Sequence, residues 1–131
     1  MIAFLQIKSK MIFYWILAIS YMCLIFFLSS IPGTHMVTGL SVDDKILHAV
    51  EFFILAVLLY KCFDIVDNRA LRENKYRLAI TITIIYAISD EFHQSFVPGR
   101  VADIFDMMAD SIGASLILAF RFVNKKYFNI S

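Results

Sequence analysis

The sequence predicts an all-α integral membrane protein, a bundle of four helices with both termini in the cytoplasm. Of its 131 residues, 60% are hydrophobic, and the mean hydropathy is +0.75, whereas soluble domains are about 45–50% apolar. Most apolar residues lie in the segments 11–31, 46–62, 77–96 and 103–123. Each segment can cross a hydrocarbon layer of about 30 Å as a helix. Four spans leave room for one domain, residues 1–131.

The first segment is predicted to be a retained helix. It follows Lys8 and Lys10, as the core of a secretory signal would. Its apolar stretch is longer than the roughly 7–15 residues of such a core, and L-S-S-I-P-G is a poor cleavage site. We therefore expect Pro32 and Gly33 to end a spanning helix rather than to mark processing.

The other three segments carry polar side chains at helical spacing. Residues three, four or seven apart share one helix face, so each segment should present one polar stripe. The stripes are Asp44, His48 and Glu51, then Asp90 and Gln94, then Asp103, Asp106 and Asp110. We expect the three stripes to face one another across the bundle axis.

The depth of these acids indicates that they serve a purpose. Counted along the helices, Glu51, Asp110 and Asp90 lie about 15–20 Å from the basic ends of their segments. An acid at the centre of a membrane helix costs about 2.5–3.5 kcal/mol, so these acids should be paired, protonated or hydrated. A plug of salt bridges is one possibility, but Lys45 and Arg100 cannot neutralise eight acids. A water-accessible cavity fits the composition better.

The distribution of charge predicts the orientation. Ten of the twelve Lys and Arg residues lie on one side of the predicted bundle, away from the polar stripes. Only Lys45 and Arg100 lie on the same side as the stripes. The positive-inside rule places the basic ends in the cytoplasm. The chain should therefore be a multi-pass membrane protein, with its acids and its three histidines towards the outside.

Between the third and fourth segments, V-P-G-R predicts a tight turn, because Pro presets φ and Gly tolerates a positive φ. Arg100 ends this turn. Its guanidinium can pair with Asp103 or Asp90, or it can bind an anionic head group.

The polar residues also allow catalysis. Asp90, Glu91, His48 and Asp106 are the candidate acids and bases. His48 or His93 with a neighbouring carboxylate would suit zinc or manganese, but no H-E-x-x-H motif is present, so the sequence assigns no metal ligand and leaves any cofactor unidentified.

Three motifs carry a resemblance to a known family. They are D-K-x-x-H-x-x-E-F from Asp44, S-D-E-F-H-Q-S-F-V-P-G-R from Ser89, and D-x-x-D-x-x-A-D-x-x-G-A from Asp103. Together with F-F-L-S-S-I-P-G from Phe26, they resemble the VanZ family of bacterial membrane proteins. The resemblance implies a small integral membrane protein, and a named member of that family lowers susceptibility to the glycopeptide teicoplanin. Members often have Asn at the position of Asp110, so the resemblance predicts no role as a base for this residue.

The resulting hypothesis is an outward-facing pocket that engages a lipid-linked envelope molecule or a glycopeptide antibiotic, with the lipid bilayer as the other partner and no nucleic acid. Besides the catalytic candidates, its predicted contact residues are Asp44, Lys45, Glu51, His93, Gln94, Arg100 and Asp103. The alternative is a membrane-embedded enzyme, acid/base or metal-dependent, acting on an envelope lipid. An ion pathway is disfavoured because the inner halves of the segments are almost purely apolar.

Overall fold

Six helices make up most of the chain in the structure, a computed structural model that describes residues 2–32 and 42–127. They are α1 (Ile2–Ser29), α2 (Val42–Asp64), α3 (Arg69–Glu73), α4 (Lys75–Gln94), α5 (Ile104–Ser115) and α6 (Ile117–Tyr127). Over these two ranges no residue is in a strand. The all-α class is therefore confirmed for the described residues.

The helices match the predicted segments with three differences. α1 begins at Ile2, well before the predicted start. The short α3 lies between α2 and α4, where Asn68 caps it by accepting a hydrogen bond from the backbone N–H of Leu71 at 3.1 Å. The fourth segment is divided at Leu116, whose N–H donates to the carbonyl groups of Ile112 and Gly113. The division separates α5 from α6.

Helix α2 is the central element, because it packs against α1, α4 and α5. Trp15 of α1 lies against Phe63 near the end of α2, so these two helices run in opposite directions. Tyr60 of α2 likewise lies against Tyr76 near the start of α4. The core between the helices is apolar, and its most deeply buried members are Ala18, Ile25, Phe52, Leu55, Ala56, Cys62, Ala79, Ala87, Ala114 and Ile117.

Helices α2 and α5 lie close together at Gly113. A Cβ atom at this position would lie 2.0 Å from the carbonyl oxygen of Ala49 and 2.8 Å from its Cα. Small residues permit such backbone contact between helices, and membrane helices use them for this purpose. Gly113 therefore sets the distance between the two helices.

Two helices are long and apolar enough to cross a membrane, over Lys8–Ser29 in α1 and Lys45–Asp64 in α2. Only 11% of the α1 span is buried within the protein, so most of its apolar surface needs another apolar environment. The other two predicted spans do not meet the same criterion. α4 carries several charged residues, and the break at Leu116 shortens α5 to 12 residues.

The connection from α4 to α5 contains the predicted tight turn. The N–H of Arg100 donates to the carbonyl of Val97 at 3.0 Å, and Gly99 has a φ of 77°. Pro98 and Gly99 thus occupy the positions at which a type II turn favours proline and glycine. The turn brings the start of α5 back to the end of α4.

Candidate functional site

A group of polar side chains lies where the beginnings of α2 and α5 meet the end of α4. Lys45 forms ion pairs there with both Asp103 and Asp106, and its Nζ lies 2.7 Å from the Oδ2 of Asp103. Asp103 is also the N-cap of α5, accepting from the N–H of Phe105 at 2.8 Å. The hydrogen bond from Lys45, followed by that from Phe105, lowers the pKa of Asp103 below its usual value.

His48 lies between the second and third acids of the α5 stripe. Its Nδ1 is 3.2 Å from the Oδ1 of Asp110, and its Nε2 is 3.9 Å from the Oδ2 of Asp106. Asp110 thereby orients the imidazole ring, while the other ring nitrogen faces Asp106. A histidine held through one nitrogen in this way can act as a base or a ligand through the other.

Glu91 completes the group from α4. Its Oε2 accepts from the backbone N–H of Asp103 at 2.9 Å. Its Oε1 is buried and has no hydrogen-bond partner among the described residues. Glu91, His48 and Asp110 each place one potential ligand atom within 4.8 Å of the other two. We call the six side chains of Lys45, His48, Glu91, Asp103, Asp106 and Asp110 the polar recess.

Exposure of the acids falls from one end of the polar recess to the other, while His48 remains 19% exposed beside the buried Asp110. The Asp103 side chain is 33% exposed, that of Lys45 is 23% exposed and that of Asp106 is 17% exposed. Asp110 is only 1% exposed and Glu91 only 2%. The recess therefore has a mouth at Asp103 and Lys45 and a closed end at Asp110 and Glu91.

Asp90 belongs to a different polar cluster, on the side of α4 that faces α1. Its Oδ2 accepts hydrogen bonds from the Oγ of Ser29 and the Nε2 of Gln94, both at 2.8 Å. Beside it, His93 stacks on Phe26 at 4.3 Å between ring centroids. We call Ser29, Asp90 and Gln94 the Asp90 cluster; its contacts connect α1 to α4 rather than line the recess.

Arg100 does not form the predicted pair with Asp103 or Asp90. Its Nε donates to the carbonyl of Ile31 at 3.2 Å, and its Nη2 donates to that of Leu28 at 3.3 Å. Carbonyl groups at the end of a helix lack partners within the helix and carry partial negative charge. They compete successfully for the guanidinium, so Arg100 ties the tight turn to the end of α1.

The structure thus distributes the predicted site residues between two places. Lys45, His48, Glu91, Asp103 and Asp106 come together as expected. The other predicted residues lie elsewhere: Asp90, His93 and Arg100 contact α1, and Gln94 donates to Asp90. Glu51 accepts a hydrogen bond from Tyr21 through its backbone carbonyl, and the side chain of Asp44 lies outside the described residues. The sequence analysis predicted no role as a base for Asp110, yet this residue is the most deeply buried acid of the recess.

Comparison with known proteins agrees with the motifs. The family model described as VanZ/LLP1 matches residues 13–123, a range that contains the whole polar recess. The chain belongs to the VanZ/LLP1 family. This VanZ/LLP1 chain is also 33% identical, over 86 residues, to an uncharacterized protein of the fission yeast Schizosaccharomyces pombe.

The matched region covers 65% of this chain and 50% of the yeast protein, so the VanZ/LLP1 chain spans about half the length of the curated relative that it matches. None of the solved structures matches the chain. The polar recess and the Asp90 cluster must therefore be interpreted from their own geometry.

Proposed function

We propose that this VanZ/LLP1 protein crosses the bacterial cytoplasmic membrane four times, through α1, α2, α4 and the pair α5 and α6, and that its polar recess opens to the outside. The basic residues at the other end of the bundle support this orientation. Lys75 pairs there with Asp64 at 2.6 Å and lies over the ring of Tyr60 at 5.4 Å. An excess of lysine and arginine is typical of the cytoplasmic side of membrane helices, and tyrosine is typical of either interface.

The orientation can be tested by cysteine labelling. In a variant without Cys23 and Cys62, we expect a cysteine at Val101 to react with an impermeant thiol reagent in intact cells, because this residue is 82% exposed beside the mouth of the recess. A cysteine at the exposed Asn68 should react only after the cells are opened. Labelling of Asn68→Cys alone in intact cells would reverse the topology.

The polar recess is proposed to bind the polar part of a lipid-linked envelope molecule or of a teicoplanin-type glycopeptide. The fall in exposure from Asp103 to Asp110 carries this proposal, since it describes a site that is open at one end and buried at the other. The recess contains four carboxyl groups but only two basic side chains, those of Lys45 and His48. Such a site favours ligands that donate hydrogen bonds, namely amines and sugar hydroxyls.

An apolar groove beside the recess supports an amphipathic ligand. The groove runs between α4 and α5, and its lining residues are Ile88, Ile104, Met107, Met108, Ser111 and Ile112. Three of these residues, Ile104, Met107 and Ser111, directly follow Asp103, Asp106 and Asp110 in the sequence. A hydrocarbon chain can therefore occupy the groove while the polar group attached to it reaches the mouth of the recess.

Binding should depend on the acids at the mouth. We expect Asp106→Asn to weaken binding of labelled teicoplanin, or of a labelled lipid-linked cell-wall precursor, by about 10-fold to 100-fold, because a hydrogen bond to a charged group contributes roughly 1.5–3 kcal/mol. Full-length protein in lipid nanodiscs would be titrated with each probe separately. In a host lacking the gene, Asp106→Asn should also fail to lower susceptibility to teicoplanin.

The matched control is Asp64→Asn, which removes one negative charge from an ion-paired acid at the opposite end of α2. It should bind both probes as the unmodified protein does. Equal binding by Asp106→Asn and the unmodified protein would contradict the proposed site, as would the absence of binding to either probe.

A membrane-embedded enzyme is the second candidate, and the contact between His48 and Asp110 favours it. A histidine oriented by a carboxylate through Nδ1 is the usual arrangement of a general base, and its Nε2 faces the interior of the recess towards Asp106. The lipid-linked probe distinguishes the two candidates. Conversion of the probe to a product that His48→Gln does not form would identify an enzyme, whereas recovery of the intact probe would identify a binding protein.

A further inference from the structure

We propose that the closed end of the polar recess is a binding site for a divalent metal ion of the zinc or manganese type, with His48, Glu91 and Asp110 as its protein ligands. This inference goes beyond the proposed function, because it concerns an ion that the recess holds whatever its organic ligand is. One imidazole and two carboxylates form a donor set that suits these two metals. The three residues come from α2, α4 and α5, so the ion would join the three helices that pack around the recess.

The distances already approach those of a coordination site. One ligand atom from each of the three residues lies within 4.8 Å of the other two, and the closest measured pair, the Nδ1 of His48 and the Oδ1 of Asp110, is 3.2 Å apart. Two ligands bound at about 2.0–2.2 Å in tetrahedral geometry are roughly 3.4 Å apart. The ion would replace the hydrogen bond between Nδ1 and Asp110, and small side-chain movements would bring all three donors onto it.

Glu91 supplies an independent reason to place a ligand here. It is 2% exposed, and its Oε1 has no partner among the described residues. An ionised carboxylate would bury an uncompensated lone pair at this atom, and a protonated one would bury an O–H group without an acceptor. A cation shared with Asp110 and His48 resolves either difficulty.

Charge leads to the same conclusion. Lys45, the nearest lysine, is held by Asp103 and Asp106 at the mouth of the recess. The closed end thus contains two carboxyl groups, Glu91 and Asp110, beside the imidazole of His48, and a bound metal ion would displace any second proton from that ring. Two carboxylates and one neutral imidazole balance a doubly charged ion, and neutral imidazole is the form that binds metals.

The test measures the metal alone. Full-length protein would be purified, stripped with a chelator and titrated with Zn²⁺ and, separately, with Mn²⁺ by calorimetry, with elemental analysis of the bound ion and thermal unfolding as further readouts. We expect one ion of at least one of the two metals per chain and a higher unfolding temperature with metal. Absence of binding by the unmodified protein would overturn the proposal, and a bound water molecule would then satisfy Glu91.

The variants locate the ion. Glu91→Gln and His48→Gln should each weaken metal binding by at least about 100-fold, because loss of a residue that only supports a ligand already costs about 10-fold to 100-fold. They lie on different helices, so either can carry the test if the other fails to fold. Asp64→Asn is again the control and should bind as the unmodified protein does.

Undiminished metal binding by both Glu91→Gln and His48→Gln would place the ion elsewhere and overturn the assignment. Because metal binding is measured without any organic ligand, its failure leaves the proposed binding of teicoplanin or lipid-linked sugars standing. Conversely, failure of both organic probes leaves the metal site standing. The two proposals therefore fail separately.

Discussion

Replacing Gly113 by alanine should destabilise the protein more than any other substitution of one methyl group in α5. The new Cβ would lie 2.0 Å from the carbonyl oxygen of Ala49, so the backbones of α2 and α5 would have to separate. Overpacking of this kind costs roughly 1–3 kcal/mol and occasionally more, and we expect Gly113→Ala to reach the upper end of this range. Thermal unfolding in detergent would measure the loss.

Two further variants show whether the backbone contact is responsible. Ser115→Thr adds a methyl group to an exposed residue of the same helix and should leave the unfolding temperature nearly unchanged. Ala49→Gly should not rescue Gly113→Ala, because the clash involves the backbone atoms of residue 49 rather than its side chain. Rescue by Ala49→Gly, or normal stability of Gly113→Ala alone, would contradict this account of the crossing.

Replacing Asp90 by alanine should release α1 from α4. The substitution leaves two buried donors, Ser29 and Gln94, without their acceptor, and each such donor costs roughly 1–3 kcal/mol. We expect a total loss of about 2–4 kcal/mol, since hydrogen bonds between membrane helices tend towards the weaker values. Cross-linking of cysteines placed at Met22 and Tyr86 by a bifunctional thiol reagent, which can span the gap that the Tyr86 side chain fills when its hydroxyl donates to the carbonyl of Met22, should become inefficient.

Asp90→Asn is the matched comparison, because the amide retains one oxygen that can accept from Ser29. It should keep most of the stability and most of the cross-linking. If Asp90→Ala unfolds no more easily than Asp90→Asn, the Asp90 cluster does not hold α1, and its residues would be free to serve the ligand as the sequence predicts. Metal binding should survive both substitutions, because Glu91 faces the recess independently.

The sequence predicts the helices well because length and apolar composition determine them. The four segments reappear as helices, and V-P-G-R forms the expected turn. The break at Leu116 is not predictable in this way, since neither proline nor glycine lies at that position to mark it. The same holds for α3, which is short, exposed and without an apolar pattern.

The partners of the polar groups are harder to predict, because they depend on the rotation of each helix about its axis. Successive residues point about 100° apart on a helix. Asp90 and Glu91 are neighbours in sequence and therefore point in different directions from α4: Asp90 faces α1, and Glu91 faces α5. Spacing within α5 correctly placed Asp103, Asp106 and Asp110 on one face, since that pattern needs no knowledge of a neighbouring helix.

Arg100 illustrates a second limit. Counting charges suggests a carboxylate partner for any lone arginine near acids, yet Arg100 donates to the backbone carbonyl groups of Leu28 and Ile31 at the end of α1. Every residue has a backbone carbonyl group, so the sequence does not show which of these groups can accept a hydrogen bond from a side chain. Their contribution to a site becomes visible only once the ends of the helices are located.

The contact between Gly113 and Ala49 has a consequence for what can pass through the bundle. It lies directly beyond His48 and Asp110 along both helices, and the side chains that follow it inwards, Phe52, Leu55 and Ile117, are fully buried and apolar. A solute that enters at Lys45 therefore meets a sealed floor and has to leave by the way it came. Among the described residues, the polar recess is a chamber with one opening, so whatever it binds enters and leaves past the same two side chains, Lys45 and Asp103.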